Sequence, residues 1–381
     1  MKKGTELKRA GITVIKELSV LEVNKIASII SEKICSSFPE HNINRTDLFI
    51  ALSKVNMYLA DFMDNSAAKY YYKDDSIYFN QNIDFDLITT PALHECLHFI
   101  QSYRDKNGKL KRLGLYEINT FKDTGLALNE AAVQLMAAHA TGIKKDSVKY
   151  YDMEFTTESP NYYPIECSLV KQMTYFTGTY PLYHSALYSD DIFKNTFIMK
   201  SDEKTYQQII KNLDMLVEYQ ESLDRENLYL SYIEYDEVNT PKIEKSKNRI
   251  NSLKEAIKFL TLKTQELILT SCAYSDLALV RDNQSVKDFK NKLYRFQKYL
   301  IFTEGYTFYN DFYCKMMEEL DVKRELIKKY GVFAQFKDVR ENLALIETRQ
   351  ESLNLFKVAI EKIKKLFKIG QEAANSSTEN K

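Results

Sequence analysis

Thr89-Thr90-Pro91-Ala92-Leu93-His94-Glu95-Cys96-Leu97-His98-Phe99-Ile100-Gln101 carries two histidines four residues apart, with a glutamate directly after the first. Leu93, Leu97 and Ile100 recur at helical spacing. Thr90 can cap, and Pro91 suits the first helical position, whose amide has no partner inside a helix, so the stretch is predicted to be helical. On that helix His94 and His98 lie one turn apart on the same face and can each aim a ring nitrogen at one point. Such a point suits a zinc ion. Glu95 stands about 100° round from His94, placed to hold a water on the ion and take its proton during attack on a carbonyl. A plainer reading leaves both histidines as polar residues on the margin of a half-buried helix. Two imidazoles one turn apart beside a carboxylate call for a shared reason, and metal binding supplies it.

A catalytic zinc takes three protein ligands and keeps a fourth position open, so another His, Glu or Asp has to arrive from elsewhere. Gly125-Leu126-Ala127-Leu128-Asn129-Glu130-Ala131-Ala132-Val133-Gln134-Leu135-Met136-Ala137-Ala138 reads as an alanine-rich helix ending near Thr141-Gly142, with Glu130 its sole acid. A carboxylate on so apolar a helix needs a partner once buried. Gln134, one turn on, is placed to hydrogen-bond a ligand. His139 is the rival third ligand, two and a half turns beyond Glu130 at the helix end.

HExxH followed by a helix bearing Asn129-Glu130 resembles the gluzincins, zincin metallopeptidases whose third ligand is a glutamate on a later helix. The resemblance implies that His94, His98 and Glu130 bind zinc and that Glu95 is the general base. It covers roughly residues 45–200. The chain departs from the thermolysin-like members in a longer gap between His98 and Glu130 and in having Gln134 where those members have an acid.

Elsewhere the sequence reads as a globular chain. Of its 381 residues 44% are hydrophobic and 13% aromatic, ample for a sizeable core. Lys plus Arg equals Asp plus Glu at 53 each, so no whole-chain field favours nucleic acid or an anionic membrane. No apolar run reaches the ~18 residues of a membrane span, and the amino-terminal stretch lacks the pattern of a secretory leader, so a cytoplasmic setting is expected. Five scattered cysteines without CxxC (Cys35, Cys96, Cys167, Cys272, Cys314) read as reduced thiols.

Ser19-Val20-Leu21-Glu22 forms a capping box that starts a helix over about 20–36. Leu48, Leu52, Val55 and Leu59 predict a second over about 47–62. Tyr70-Tyr71-Tyr72 and Ser76-Ile77-Tyr78-Phe79-Asn80 flank Asp74-Asp75 as a hairpin. By the resemblance, 77–80 is an edge strand that pairs with extended substrate; an ordinary sheet strand is the alternative. Asp105-Lys106-Asn107-Gly108-Lys109 is a tight turn, followed by a short extended segment whose Arg112 either reaches substrate or is a solvated surface charge. Tyr163, Tyr180 and His184 are candidates for stabilising an oxyanion, although packing alone explains a tyrosine in a chain holding 27 of them.

From about residue 201 the sequence is helical almost throughout, with apolar heptads over 243–267 and 346–367. The expected fold class is therefore α+β. Residues 1–200 form, by the resemblance, a zincin-like metallopeptidase domain with a small antiparallel or mixed sheet beside the HExxH helix; 201–370 form an α-helical domain; 371–381 are a disordered tail. The implied function is zinc-dependent hydrolysis of a peptide or protein substrate, with a further protein partner expected only through the helical domain and none that is nucleic acid or membrane. Two other classes remain open: a non-catalytic, zinc-stabilised interaction protein, and a hydrolase of a non-peptide amide. Glu95 weighs against the first, because a structural site has no use for a base beside an open coordination position.

Overall fold

The structure is a computed structural model that describes residues 2–64, 66–84, 88–119, 123–233 and 240–331. The apolar heptads over 346–367 and the tail at 371–381 lie outside the described residues. The architecture is mixed α+β, built from long helices and three small sheets.

Helix α1 (Lys2–Arg9) leads into strand β1 (Ile12–Glu17) and helix α2 (Val20–Ser37). The capping box at the start of α2 is formed: Glu22 N–H donates to Ser19 Oγ, and Ser19 N–H donates to Glu22 Oε2 at 2.7 Å. Helix α3 covers only Arg45–Leu52, and Asn56–Phe62 is strand β2, which corrects the single helix expected over 47–62. The spacing of Val55 and Leu59 fits a helix, but β2 is buried on both faces, Met57 in the main core and Ala60 and Phe62 in a second cluster, and both neighbours supply ladder hydrogen bonds that a helix would forgo.

Strands β3 (Ala68–Tyr71) and β4 (Ser76–Asn80) form the expected hairpin, and the sheet runs β1-β2-β4-β3. Strand β4 is therefore interior, paired in parallel with β2 and antiparallel with β3. The edge is β3, so the expectation of an edge strand at 77–80 is corrected. The wholly buried Ile77 and Phe79 belong to a central strand.

The HExxH segment is helix α4 (Thr89–Ile100). It begins two residues earlier than a Thr90 cap would dictate and has no side-chain cap; Pro91 lies in the first turn, where no amide partner is lost. A three-stranded meander follows, β5 (Ser102–Arg104), β6 (Leu110–Leu113) and β7 (Tyr116–Glu117), whose first turn is tied by Asp105 Oδ1 accepting from Asn107 N and Lys109 N. Helix α5 (Leu126–Thr141), whose Ala127 and Ala131 are fully buried, then packs on α4. Strands β8 (Asp146–Tyr150) and β9 (Met153–Thr157) precede α6 (Pro164–Thr177), α7 (Thr179–Tyr188) and α8 (Ile192–Lys200).

The remainder is helical as expected: α9 (Glu203–Ile233), α10 (Thr240–Ala278), α11 (Asn283–Phe296) and α12 (Phe308–Tyr330), interrupted by the two-residue strand β10 (Phe302–Thr303) on β9. Helices α9 and α10 are antiparallel. Asn212 of α9 donates to Thr264 of α10 at 3.0 Å, and Glu226 accepts from Ser246 at 2.9 Å. One buried apolar cluster continues from Leu18 to Ile327, so α9 to α12 rest on the same core as α4 and α5.

Helix α9 also caps α5. Gly125, the α5 N-cap, lies at φ +85° and has no side chain to offer, so the first free amides of α5 use a distant carboxylate. Gly125 N and Ala127 N donate to the two oxygens of Asp214 at 2.9 and 3.0 Å. A negative charge there also complements the positive end of the helix dipole. Asp214→Ala should therefore cost about 1–2 kcal/mol of stability in denaturant unfolding. An unchanged unfolding midpoint would show that the cap carries no weight.

Candidate metal centre

His94, His98 and Glu130 come together, and they are the one such group among the described residues with ligand atoms within 4.8 Å of one another. His94 Nε2 lies 3.0 Å from His98 Nε2. Glu130 sends Oε2 to 3.3 Å from His94 Nε2 and Oε1 to 3.4 Å from His98 Nε2. The helical one-turn spacing sets the first distance, and the close approach of α5 to α4 sets the other two. Each ring is held from behind: His94 Nδ1 meets Gln134 Oε1 at 3.0 Å, and His98 Nδ1 meets Gln101 Oε1 at 3.3 Å.

Burial opposes a charge on His98, but the Glu130 carboxylate beside it dominates and lifts its pKa to about 9. Burial also opposes ionisation of Glu130, and the two imidazoles overcome it, holding that carboxyl well below the usual range. Without a cation, His98 and Glu130 thus form an ion pair. With one, all three groups are acceptors aimed at it, the donor set expected for a borderline metal such as zinc.

Glu95 is nearly buried and lines the same cleft, an open cavity of about 710 Å³ that also exposes His94, His98 and Glu130. Its Oε2 accepts from the backbone N–H of Tyr70 at 2.6 Å. The edge strand β3 therefore orients the carboxylate, through a main-chain contact that leaves no mark in the sequence. The cleft is also lined by residues 66–70 and by Leu126, Asn129 and Tyr163.

The other sequence candidates separate cleanly. Tyr163 lines the cleft; it caps α6 at φ +49°, an unusual backbone for a bulky residue, and Glu130 with burial raises its phenol pKa well above the ordinary value. Tyr180 and His184 lie elsewhere, grouped with His41: Tyr180 stacks on that ring at 4.7 Å, and His184 pairs with Asp190 at 2.9 Å. This takes both out of the candidate oxyanion site. His139 is exposed, with its ring by Phe38 at 5.6 Å, and Asp123 accepts from Tyr116 and Asn119. Arg112 is neither a cleft residue nor a solvated charge; it binds Gly114 O, Asp190 O and Asp191 at 2.7–2.8 Å. Gln101 was not singled out by sequence reasoning, although its i+3 relation to His98 places it on the same side of the helix end.

Comparison with known proteins returns no matching family model, no matching curated protein and no matching solved structure.

Glu166, in the first turn of α6, is fully buried and outside the metal group. Burial raises its pKa to about 7, and its own N–H and the Gln220 side chain offset only part of that. A carboxyl with a raised folded-state pKa binds more protons folded than unfolded, so its contribution to stability declines as pH rises from about 4.5 to 7. Glu166→Gln should remove this decline. In thermal melts it should match wild type near pH 5 and exceed it by about 1–3 kcal/mol near pH 8; parallel pH profiles for the two proteins would contradict the assignment.

Proposed function

We propose that the protein is a zinc-dependent metallopeptidase, with His94, His98 and Glu130 holding the metal and Glu95 acting as general base. The observation that carries the reading is the convergence of His94 Nε2, His98 Nε2 and both Glu130 oxygens to 3.0–3.4 Å, with the far nitrogen of each ring facing an amide oxygen. A ring whose Nδ1 faces an acceptor keeps its proton there, which leaves the lone pair on Nε2. Acceptors gathered so closely call for a cation.

A zinc ion in that place supplies a Lewis acid for the scissile carbonyl and makes water a better nucleophile. The protein's own groups do the rest. Glu95, held by Tyr70 N, accepts the proton of the attacking water and then delivers it to the leaving nitrogen. Tyr163, kept neutral by the carboxylates around it, donates a hydrogen bond to the oxygen of the tetrahedral carbon. The outer edge of β3, which lines the cleft, offers main-chain groups beyond the Tyr70 amide to an extended peptide, which favours peptide over a small amide as substrate.

The zincin-like fold and gluzincin kinship belong to this proposal, supported by an antiparallel edge strand, an HExxH helix and a second helix bearing the glutamate, in that order. So does a cytoplasmic setting, which the five free thiols fit. Among the described residues no helix is long and apolar enough to cross a membrane.

The protein purified without chelator should carry about one zinc per chain and lose it on replacement of His94 or His98. Glu95→Gln should retain the metal and the fold while hydrolysis of a mixed peptide library falls by about 10³-fold or more. An unchanged rate in that variant would move the base elsewhere.

A further inference from the structure

A buried chain of hydrogen bonds runs behind His98 and ends on a group whose polarity is beyond doubt. The backbone N–H of Leu115 can only donate, and it meets Asn129 Oδ1 at 3.0 Å. The other end of that amide is therefore its NH2, which donates to Gln101 Oε1 at 3.2 Å. The same Gln101 oxygen meets His98 Nδ1 at 3.3 Å, so that nitrogen must carry hydrogen. His98 Nε2, which faces Glu130, is left as the nitrogen that can give up its proton and turn a lone pair to a metal.

We propose that Asn129 and Gln101 are positioning residues that hold His98 in its metal-binding tautomer, with the Leu115 amide as the fixed reference. The proposal rests on the zinc reading above and adds to it the means by which a neutral second layer keeps a ligand ready. Three further features support it. Gln101 and Asn129 are each 1% exposed, so water does not compete for these groups. Gln101 Nε2 has no hydrogen-bond partner among the described residues, the cost of turning its oxygen toward both Asn129 and His98. Gly114 makes room for the pair: at φ +55° a Cβ there would overlap Asn129 Oδ1 and come within 2.8 Å of the Gln101 amide.

In this arrangement Gln101 is a two-faced group held in one orientation by Asn129. Without Asn129 it can turn its NH2 toward His98, and the ring then shifts its proton to Nε2 and loses its lone pair for metal. A glutamate at 101 has no donor to turn and needs no such control. The test is zinc affinity by competition with a chromophoric chelator at pH 8, with thermal melts to check folding. Asn129→Leu should bind zinc about 10- to 100-fold more weakly than wild type. The double variant Asn129→Leu, Gln101→Glu should recover wild-type affinity, which a merely structural loss would not allow. Should Asn129→Leu fail to fold, Gln101→Leu should show the same weakening and Gln101→Glu none. Wild-type affinity in Asn129→Leu or Gln101→Leu, or a double variant no tighter than Asn129→Leu, would overturn the tautomer control and leave the zinc reading standing. A wild-type protein that takes up no zinc would overturn both.

Discussion

Three side chains from two helices place their electron-rich atoms 3.0–3.4 Å apart at the floor of a cleft, and much of the surrounding structure makes sense as the means of keeping them there. Such a gathering repels itself unless a positive charge lies within it. A proton on His98 serves that purpose when no metal is bound, because the Glu130 carboxylate stabilises the imidazolium. On the proposed reading, metal binding exchanges that proton for a divalent cation, so affinity for zinc should fall as pH falls below about 9.

The scaffold restrains each member separately. Helix α4 fixes both imidazoles by its own geometry. Glu130 depends on α5, whose first turn is tied to Asp214 of α9, so the helical part reaches into the site through a cap as well as through the shared core. Glu95 depends on strand β3 through the Tyr70 main-chain amide. His98 depends on Gln101 and Asn129, and those on a glycine that leaves them space.

What the sequence made legible follows from how local each signal is. The pairing of His94 with His98 is a property of one helical turn, and the capping box at Ser19 is a property of four residues; both are found as expected. Glu130 could be picked out because a single acid on an alanine-rich helix is anomalous by itself. Strand β2 was not legible, since Leu48, Leu52, Val55 and Leu59 fit the helical period while its parallel pairing with β4 depends on residues twenty positions away. For the same reason β4 could be mistaken for the edge, a distinction that only sheet order makes. Tyr180 and His184 were drawn in by residue type alone, and their packing against His41 is invisible without the fold.

Diffraction at the zinc absorption edge, from crystals of the full chain grown with one equivalent of zinc, tests the central claim most directly. The account predicts one strong anomalous peak about 2.0–2.1 Å from His94 Nε2 and His98 Nε2 and about 2.0–2.2 Å from a Glu130 oxygen, with Glu95 off the metal. A peak placed on His139, Asp123 or a cysteine, or no peak between α4 and α5, would contradict it.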